Sequence, residues 1–436
     1  MTRPTSRARD RSPAVAVVLL AGVAFVVAAA WLVPWSPVPG GTPDPVPAGS
    51  AFTAAEIAAG EHYASWTRLW SWSSLAVQLL VVCALGSARV REHLGRRLPG
   101  RWWVQVPLAV LLVTLVLRVL ALPFGVALQQ HRLDHGLSTQ SWWGYARDVA
   151  TGTAVSVVVT SLALTVLVAL ARRWQRAWVV VGAALAGGLV LVGSLVYPLV
   201  VEPLYNSFTS LPDGSLRTSV LEVADREGVP VDDVLVADAS RRTTTLNAYV
   251  SGWSGTRRVV LYDTLVESLP EDQVLSVVAH ELAHARHDDV LTGTTLGALG
   301  AAFGVGLLGL LVGGERMRRA SVVPLVMALL AVGTQLASPV ENGISRRIET
   351  RADVDALKAT GDPVAFREMQ LMLARRSLAD PTPPAWSQWW WGSHPTVLQR
   401  LALADRSAAG PAAERARAGA VEHGAGPVDR GGLIRS

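Results

Sequence analysis

The sequence contains almost no cysteine. Cys83 is the only one in 436 residues, and it lies within an apolar run. A chain with one cysteine in such a place excludes an intrachain disulfide, a zinc site made of cysteines and thiol catalysis. The chemistry of this protein therefore has to rest on other side chains.

Charged residues are also scarce. They make up 17% of the sequence, whereas hydrophobic residues make up 50%. This composition is too apolar for an ordinary soluble enzyme of this length and favours a membrane protein. The net charge of +5 does not predict a nucleic-acid partner, because the arginines cluster beside apolar runs and do not form a basic face with aromatic stacking residues.

The sequence contains several long apolar runs. A helix needs about 20 apolar residues to cross a bilayer, and seven runs approach this length, at 13–35, 71–88, 102–123, 149–171, 178–201, 291–312 and 322–340. Many of the sixteen tryptophans lie at the ends of these runs, as interfacial anchors do. The first run is long and lacks a clear signal-peptide cleavage site, so we interpret it as an uncleaved span.

The fold class predicted is therefore mainly α, a multi-pass membrane protein with about seven transmembrane helices. Strand-like alternation in VLVAD and RRVVLYDTLV predicts a small α+β domain inserted between spans five and six. The segments predicted are a basic tail at 1–12, five spans in 13–201, the insertion at 202–290, spans six and seven in 291–340, a helix and active-site segment at 341–403, and a disordered tail at 404–436.

The stretch VVAHELAHARHDDV closes this insertion, at the mouth of the sixth span. Ser268 and Glu271 have the spacing of a capping box, which predicts a helix start there. On such a helix His280 and His284 lie one turn apart on one face, where two imidazoles can bind one zinc ion at about 2.0–2.1 Å. Glu281 then lies beside the open coordination position and can deprotonate bound water. The alternative interpretation is a capped helix whose polar residues face a vestibule.

A catalytic zinc needs three protein ligands. His287 shares the face, but seven residues place it roughly 10 Å from His280 along the helix axis, too far for the same ion. Glu349 in ISRRIETRADVDAL is the best third ligand, and Asp353 one turn later could hold a zinc histidine through its other ring nitrogen. Without the first motif, these two acids would be an ordinary charged helix face.

Several motifs now occur in a recognisable order: PLYNSFTSLPDGSLR, TLNAYVSGWSGTRRVVLYDTLVE, VVAHELAHARHDD, SRRIETRADVDAL and SHPTVLQRLA. From about residue 197 to 403 the chain closely resembles the type I CAAX prenyl protease family of integral-membrane zinc metallopeptidases. The resemblance implies one Zn²⁺ per chain. The residues it implies are His280, His284 and Glu349 as ligands, Glu281 as general base, and Asn247, His394 and Arg400 facing bound peptide.

These observations predict a membrane zinc endopeptidase that hydrolyses peptide bonds of membrane-associated or lipid-linked, CAAX-like peptides or proteins. With zinc nearby, His394 could also donate a hydrogen bond to the oxyanion of the tetrahedral intermediate. A heat-shock-type membrane metalloprotease, an intramembrane metalloprotease and a catalytically silent, zinc-containing membrane binding protein stay open as alternatives. The partners predicted are a peptide or protein substrate and the lipid bilayer.

The charge pattern predicts an orientation in the cell membrane. Four arginine-rich segments all fall on one side of the seven spans, and they contain Arg3, Arg7, Arg9 and Arg11, then Arg89, Arg91, Arg96, Arg97 and Arg101, then Arg172, Arg173 and Arg176, and then Arg316, Arg318 and Arg319. The positive-inside rule places that side, with the N-terminus, in the cytoplasm. The metal domain, five spans later, then faces outward. The family resemblance implies the opposite, a site on the cytosolic face.

Reporter fusions distinguish the two orientations. We expect an export-dependent reporter fused after Val201 to be active and a cytoplasm-fluorescent reporter fused after Gly314 to fluoresce. Fluorescence from the fusion after Val201, with no exported-reporter activity there, would show that the orientation is inverted.

Overall fold

A computed structural model of the chain describes residues 6–252 and 257–423, with side chains for 12–252 and 257–410. The helices of these residues are α1 Ser6–Leu32, α2 Ala54–Gly86, α3 Ala88–Arg97, α4 Trp102–Asp134, α5 Trp142–Arg173, α6 Trp178–Val196, α7 Ser215–Arg226, α8 Asp263–Ser268, α9 Glu271–Arg286, α10 Asp289–Leu311, α11 Gly314–Met317, α12 Val323–Thr360, α13 Pro363–Arg376, α14 Ala385–Trp391 and α15 Val397–His423. The strands are β1 Phe208–Ser210, β2 Asp233–Ala237, β3 Ala248–Ser251 and β4 Arg258–Tyr262.

Seven helical segments in the described part of the chain are long and apolar enough to cross a membrane. They are Ser12–Leu32, Ala54–Gly86, Trp102–Asp134, Trp142–Arg173, Trp178–Leu204, Asp289–Leu311 and Ala320–Thr360. Five precede the sheet and two follow it, which confirms the mainly helical, seven-span prediction. Helix α10 packs closely on α1 and α6 because it carries glycine at the contact. A Cβ on Gly309 would lie 2.8 Å from Val179 and 2.9 Å from Ala14.

The sheet has four strands in the order β1-β2-β4-β3. Strands β2 and β4 are parallel, and the two outer strands pair antiparallel to them, with β3 at one edge. Helix α9 packs against this small domain through Val274, Val278 and Leu282, which belong to its main apolar core. Because one face of α9 is buried in that core, its opposite face is turned toward α12 and carries the HELAH histidines.

Helix α9 begins differently from the sequence prediction. Its N-cap is Pro270, with no side-chain cap hydrogen bond. Ser268 is still the last residue of α8, and Glu271 accepts hydrogen bonds from Ser215 and Ser219 of α7 at 3.0 and 2.6 Å. The predicted capping box is therefore wrong, because a tertiary contact with α7 takes the carboxylate that the local pattern assigned to the cap.

Helix α12 runs without a break from the seventh candidate span to the domain that contains the sheet. Its 38 residues include Pro339 and join the seventh span to the ExxxD segment. The predicted division at residue 340 is thus not a break in the backbone. One helix connects the lipid-facing part of the molecule to Glu349 and Asp353.

The C-terminal segment also differs from prediction. Disorder was predicted from residue 404, but α15 continues to His423 across a kink at Gly410, and Ala404 is only 1% exposed. The composition that suggested disorder is rich in alanine and arginine, both strong helix formers. Residues 424–436 lie outside the described part of the chain.

The arginine-rich loops gather at one end of the helix bundle, away from the sheet. Arg172, after the fourth span, donates to the carbonyl of Arg318, after the sixth, at 2.9 Å. In α3, a Cβ on Gly95 would lie 2.6 Å from Ser321. The contact of Ala14 with Gly309 brings the start of α1 to this end as well. The side of the membrane on which this end lies stays a prediction.

Candidate metal centre

Two helices supply the cluster at which a metal can bind. Helix α9 carries His280 and His284, and α12 carries Glu349. One potential ligand atom from each residue lies within 4.8 Å of the others. The two histidine Nε2 atoms are 3.2 Å apart, and the Glu349 oxygens lie 3.3 Å from Nε2 of His280 and 3.5 Å from Nε2 of His284.

A carboxylate stands behind each of the two imidazoles. Asp353 Oδ1 lies 3.0 Å from Nδ1 of His280, and Asp289 Oδ2 lies 3.0 Å from Nδ1 of His284. A carboxylate beside Nδ1 favours the proton on that nitrogen. In the neutral form of the rings, both Nε2 lone pairs then face each other and the Glu349 carboxylate. Such a set of electron-pair donors fits a cation at its centre.

The electrostatic surroundings of the histidines support the same conclusion. Burial alone would lower the pKa of His280, but Asp353 and Glu349 beside the ring raise that pKa to about 10. The negative charge around this imidazole therefore favours a positive charge at the centre. Burial also raises the pKa of Glu281, which makes this carboxylate a better proton acceptor than an exposed one.

The cluster lies in the wall of a large cavity of about 1540 Å³. His280, His284, Glu281 and Glu349 line one part of it, and apolar side chains of the membrane helices line most of the rest, among them Phe25, Leu164 and Leu307. The cavity thus joins a polar centre to an apolar interior.

His394 and Asn247 line the same cavity, at places that the sequence alone could not join. Nε2 of His394 lies 3.4 Å from Oε2 of Glu349, and the side chain is 59% exposed. Asn247 directly precedes the edge strand β3, and its side-chain oxygen accepts from the backbone nitrogen of Ala248 at 2.9 Å. The cavity therefore contains an imidazole and a strand edge beside the metal cluster.

Comparison with known proteins places this architecture in a family. Peptidase family M48 matches residues 210–408, and the N-terminal domain of CAAX prenyl proteases, described as five membrane helices, matches residues 60–207. The chain belongs to the type I CAAX prenyl protease family. It is therefore a multi-pass membrane metallopeptidase, as the sequence predicted.

Individual relatives agree with this assignment. An uncharacterized metalloprotease of Bacillus subtilis is 26% identical over 74% of this chain and 79% of its own length. A CAAX prenyl protease 1 homolog of Arabidopsis thaliana is 30% identical over 62% of this chain and 66% of its own length. The crystal structure of Ste24p from S. mikatae has the same fold, with a TM-score of 0.71 and 19% identity over 93% of this chain and 100% of that one.

Arg400 lies beside the carboxylates of the metal cluster. Its Nε donates to Oδ2 of Asp353 at 2.8 Å, Nη2 lies 3.5 Å from Glu349, and Nη1 donates to Gln370 at 3.3 Å. The guanidinium thus contacts both Asp353, behind His280, and Glu349 of the cluster itself, and Arg400 is not among the residues that line the described cavity. Its positive charge compensates these buried acids, and the expected contact of Arg400 with bound peptide stays a prediction.

Asp289 is a residue that the sequence interpretation missed. Besides its contact with His284, it pairs with Arg351 of α12, so that α10, α9 and α12 meet at this carboxylate. A signal was present, because metal-binding histidines usually donate their second ring nitrogen to a carboxylate, and ARHDD follows the motif directly. His287, by contrast, lies 2.8 Å from Asp355 and away from the cluster.

Replacing one histidine tests the ligand set. We expect His284→Ala to lose the bound metal in the purified, folded protein, because only two of the three ligands are left. Metal analysis of the variant and the parent measures this directly. An unchanged metal content in the variant would contradict the assignment of His284 as a ligand.

Replacing Asp289 tests whether this carboxylate strengthens metal binding by His284. We expect Asp289→Asn to weaken metal affinity by about 10–100-fold, the usual effect of losing an outer partner of a metal ligand, because the amide no longer neutralises Arg351 or holds the imidazole by charge. Chelator competition measures the affinity. Asp288→Asn is the matched control, because Asp288 pairs with Arg257 and is 55% exposed. Equal affinities for both variants would exclude the role of Asp289.

Proposed function

We propose that this metallopeptidase is a zinc endopeptidase that cleaves membrane-associated or lipid-linked, CAAX-like peptides or proteins. The observation that carries the proposal is the metal cluster in the wall of an apolar cavity formed by membrane helices. Two imidazoles and a carboxylate are a common ligand set of catalytic zinc in peptidases.

In this proposal His280, His284 and Glu349 hold the ion, with Asp353 and Asp289 fixing the two rings. When bound, zinc lowers the pKa of water to about 7 and polarises the scissile carbonyl. Glu281 accepts the proton of the attacking water and passes it to the leaving amine. Burial of Glu281 suits this function, because a raised pKa lets a carboxyl group both take up and release a proton.

Two further residues act on the peptide. His394 lies next to Glu349 at 3.4 Å, and from there its ring can donate to the carbonyl oxygen as negative charge develops on it. Asn247 leads into β3, whose position at the sheet edge suits an extended peptide held by main-chain hydrogen bonds. The cleaved bond then lies between the strand edge and α9.

The substrate class follows from the cavity and from the names of relatives. The relatives of Arabidopsis thaliana and Saccharomyces cerevisiae are CAAX prenyl proteases by name. Apolar walls beside the cleavage site favour a substrate that carries a lipid or enters from the bilayer. The arginine distribution supports a metal centre on the outer face of the cell membrane.

Replacing the general base tests the function. We expect Glu281→Gln to keep the metal and the fold but to lose peptide hydrolysis by about 10²–10⁴-fold, because an amide cannot accept a proton from water. Cleavage of a lipidated and an unlipidated CAAX-like peptide by the purified protein in detergent or vesicles measures this. Activity of the variant within a few-fold of the parent would contradict the role of Glu281. An inactive but metal-loaded parent would favour the silent binding protein.

A further inference from the structure

The loop that carries His394 is held by a row of polar side chains on α12. Ser338, Asn342 and Arg346 follow one another at four-residue intervals, so they share one face of the helix. Ser338 Oγ and Asn342 Nδ2 donate to the carbonyl of Trp390 at 3.0 and 2.6 Å. The last turn of α14 is therefore fastened to α12 from the side.

Arg346 adds two more hydrogen bonds to this attachment. Its Nη1 donates to the carbonyl of Gln388 at 3.0 Å and also to the carbonyl of Gly392. The last carbonyls of a helix lack partners within the helix and carry partial negative charge. The carbonyl of Gln388 also accepts from the backbone nitrogen of Gly392 at 3.1 Å, so the guanidinium contacts the carbonyls at both ends of this last turn and fixes the direction in which the chain leaves α14.

The attachment continues to His394 itself. Gln388, whose carbonyl Arg346 holds, donates through Nε2 to the carbonyl of His394 at 2.6 Å. The His394 side chain is 59% exposed. Its Nδ1 lies 2.8 Å from Ser393 Oγ, and its Nε2 lies 3.4 Å from Oε2 of Glu349. Because packing holds this ring so little, its position depends on the backbone of the loop.

Arg346 and Glu349 stand three residues apart on the same continuous helix. The residue that fixes the His394 loop and the residue that binds the metal therefore share one rigid element. We propose that Arg346 is a positioning residue, which sets the distance between His394 and the metal centre through the carbonyls of Gln388 and Gly392. This inference rests on the proposed peptidase activity and on the function of His394 in it.

The effect of this positioning is confined to the transition state. The proposed hydrogen bond from His394 strengthens as charge develops on the substrate oxygen, and a displacement of about 1 Å in such a group can cost about 10²-fold in rate. We expect Arg346→Met to lower kcat by about 10–100-fold and to change KM by less than about twofold. Metal content is expected to equal that of the parent, because the three ligands are unchanged.

The matched control is Arg347→Met, which removes an exposed neighbouring arginine of the same helix that makes no side-chain hydrogen bond or ion pair to the described residues. It is expected to keep kcat.

Two graded variants weaken the attachment in part. Arg346→Lys keeps the charge and a donor group but loses the planar guanidinium that binds two carbonyls at once, so its kcat is expected between those of the parent and Arg346→Met. Asn342→Ala weakens the same attachment without touching a charge and is expected to lower kcat in the same direction by less.

A double-variant cycle shows whether Arg346 acts through His394. If it does, Arg346→Met in a His394→Ala protein lowers kcat by less than about threefold, because the donor to be positioned is already absent. Full additivity of the two losses, a change in KM alone, or loss of metal from Arg346→Met would overturn the inference. A parent and an Arg347→Met protein that both fail to cleave would reject the proposed function itself, and the inference with it.

Discussion

The structure depends on bringing buried acids together without leaving their charges uncompensated. Glu349, Asp353 and Asp289 lie within a few ångströms of two imidazoles, and an isolated carboxylate away from water costs several kcal/mol or more. Arg400 and Arg351 supply two of the balancing charges at the back of the cluster. The remaining negative charge lies where the histidine Nε2 atoms and Glu349 face one another, and a bound metal cation would balance it. The charges of the metal site are thus balanced by residues from four helices, α9, α10, α12 and α15.

This constraint explains why the motif lies at the mouth of a membrane span. Helix α9 ends at Arg286 with His287 as its C-cap, and Asp288, which has a left-handed backbone with φ of 50°, allows α10 to begin at the next residue. Asp289 is therefore at once the first residue of the sixth span and the acid that holds His284. Only a few residues separate the histidine-bearing face of α9 from the start of the membrane helix α10. The short connection between α9 and α10 therefore keeps the histidine motif close to the start of the sixth span.

Much of this centre was predictable because the relevant signals are local. The spacing of His280, Glu281 and His284, and of Glu349 and Asp353, follows from the helical period alone, and the family motifs supplied the pairing of the two helices. Arg400, Asp289 and the start of α9 were not predictable in the same way. Each has a partner remote in sequence, and a carboxylate or guanidinium has several possible partners until tertiary packing selects one.

Helix α12 is continuous from the apolar membrane-spanning part of the enzyme to the polar domain that contains the metal cluster. Toward the membrane its side chains line an apolar cavity, and Ile344 and Ile348 pack with α1 and α10 just before Glu349. Toward the catalytic domain the same helix presents Glu349, Asp353 and the arginine that holds the His394 loop. A break between these parts would let the cavity and the catalytic groups move independently. Because α12 is continuous, one element connects the residues that line the apolar part of the cavity with Glu349, Asp353 and the arginine that holds the His394 loop.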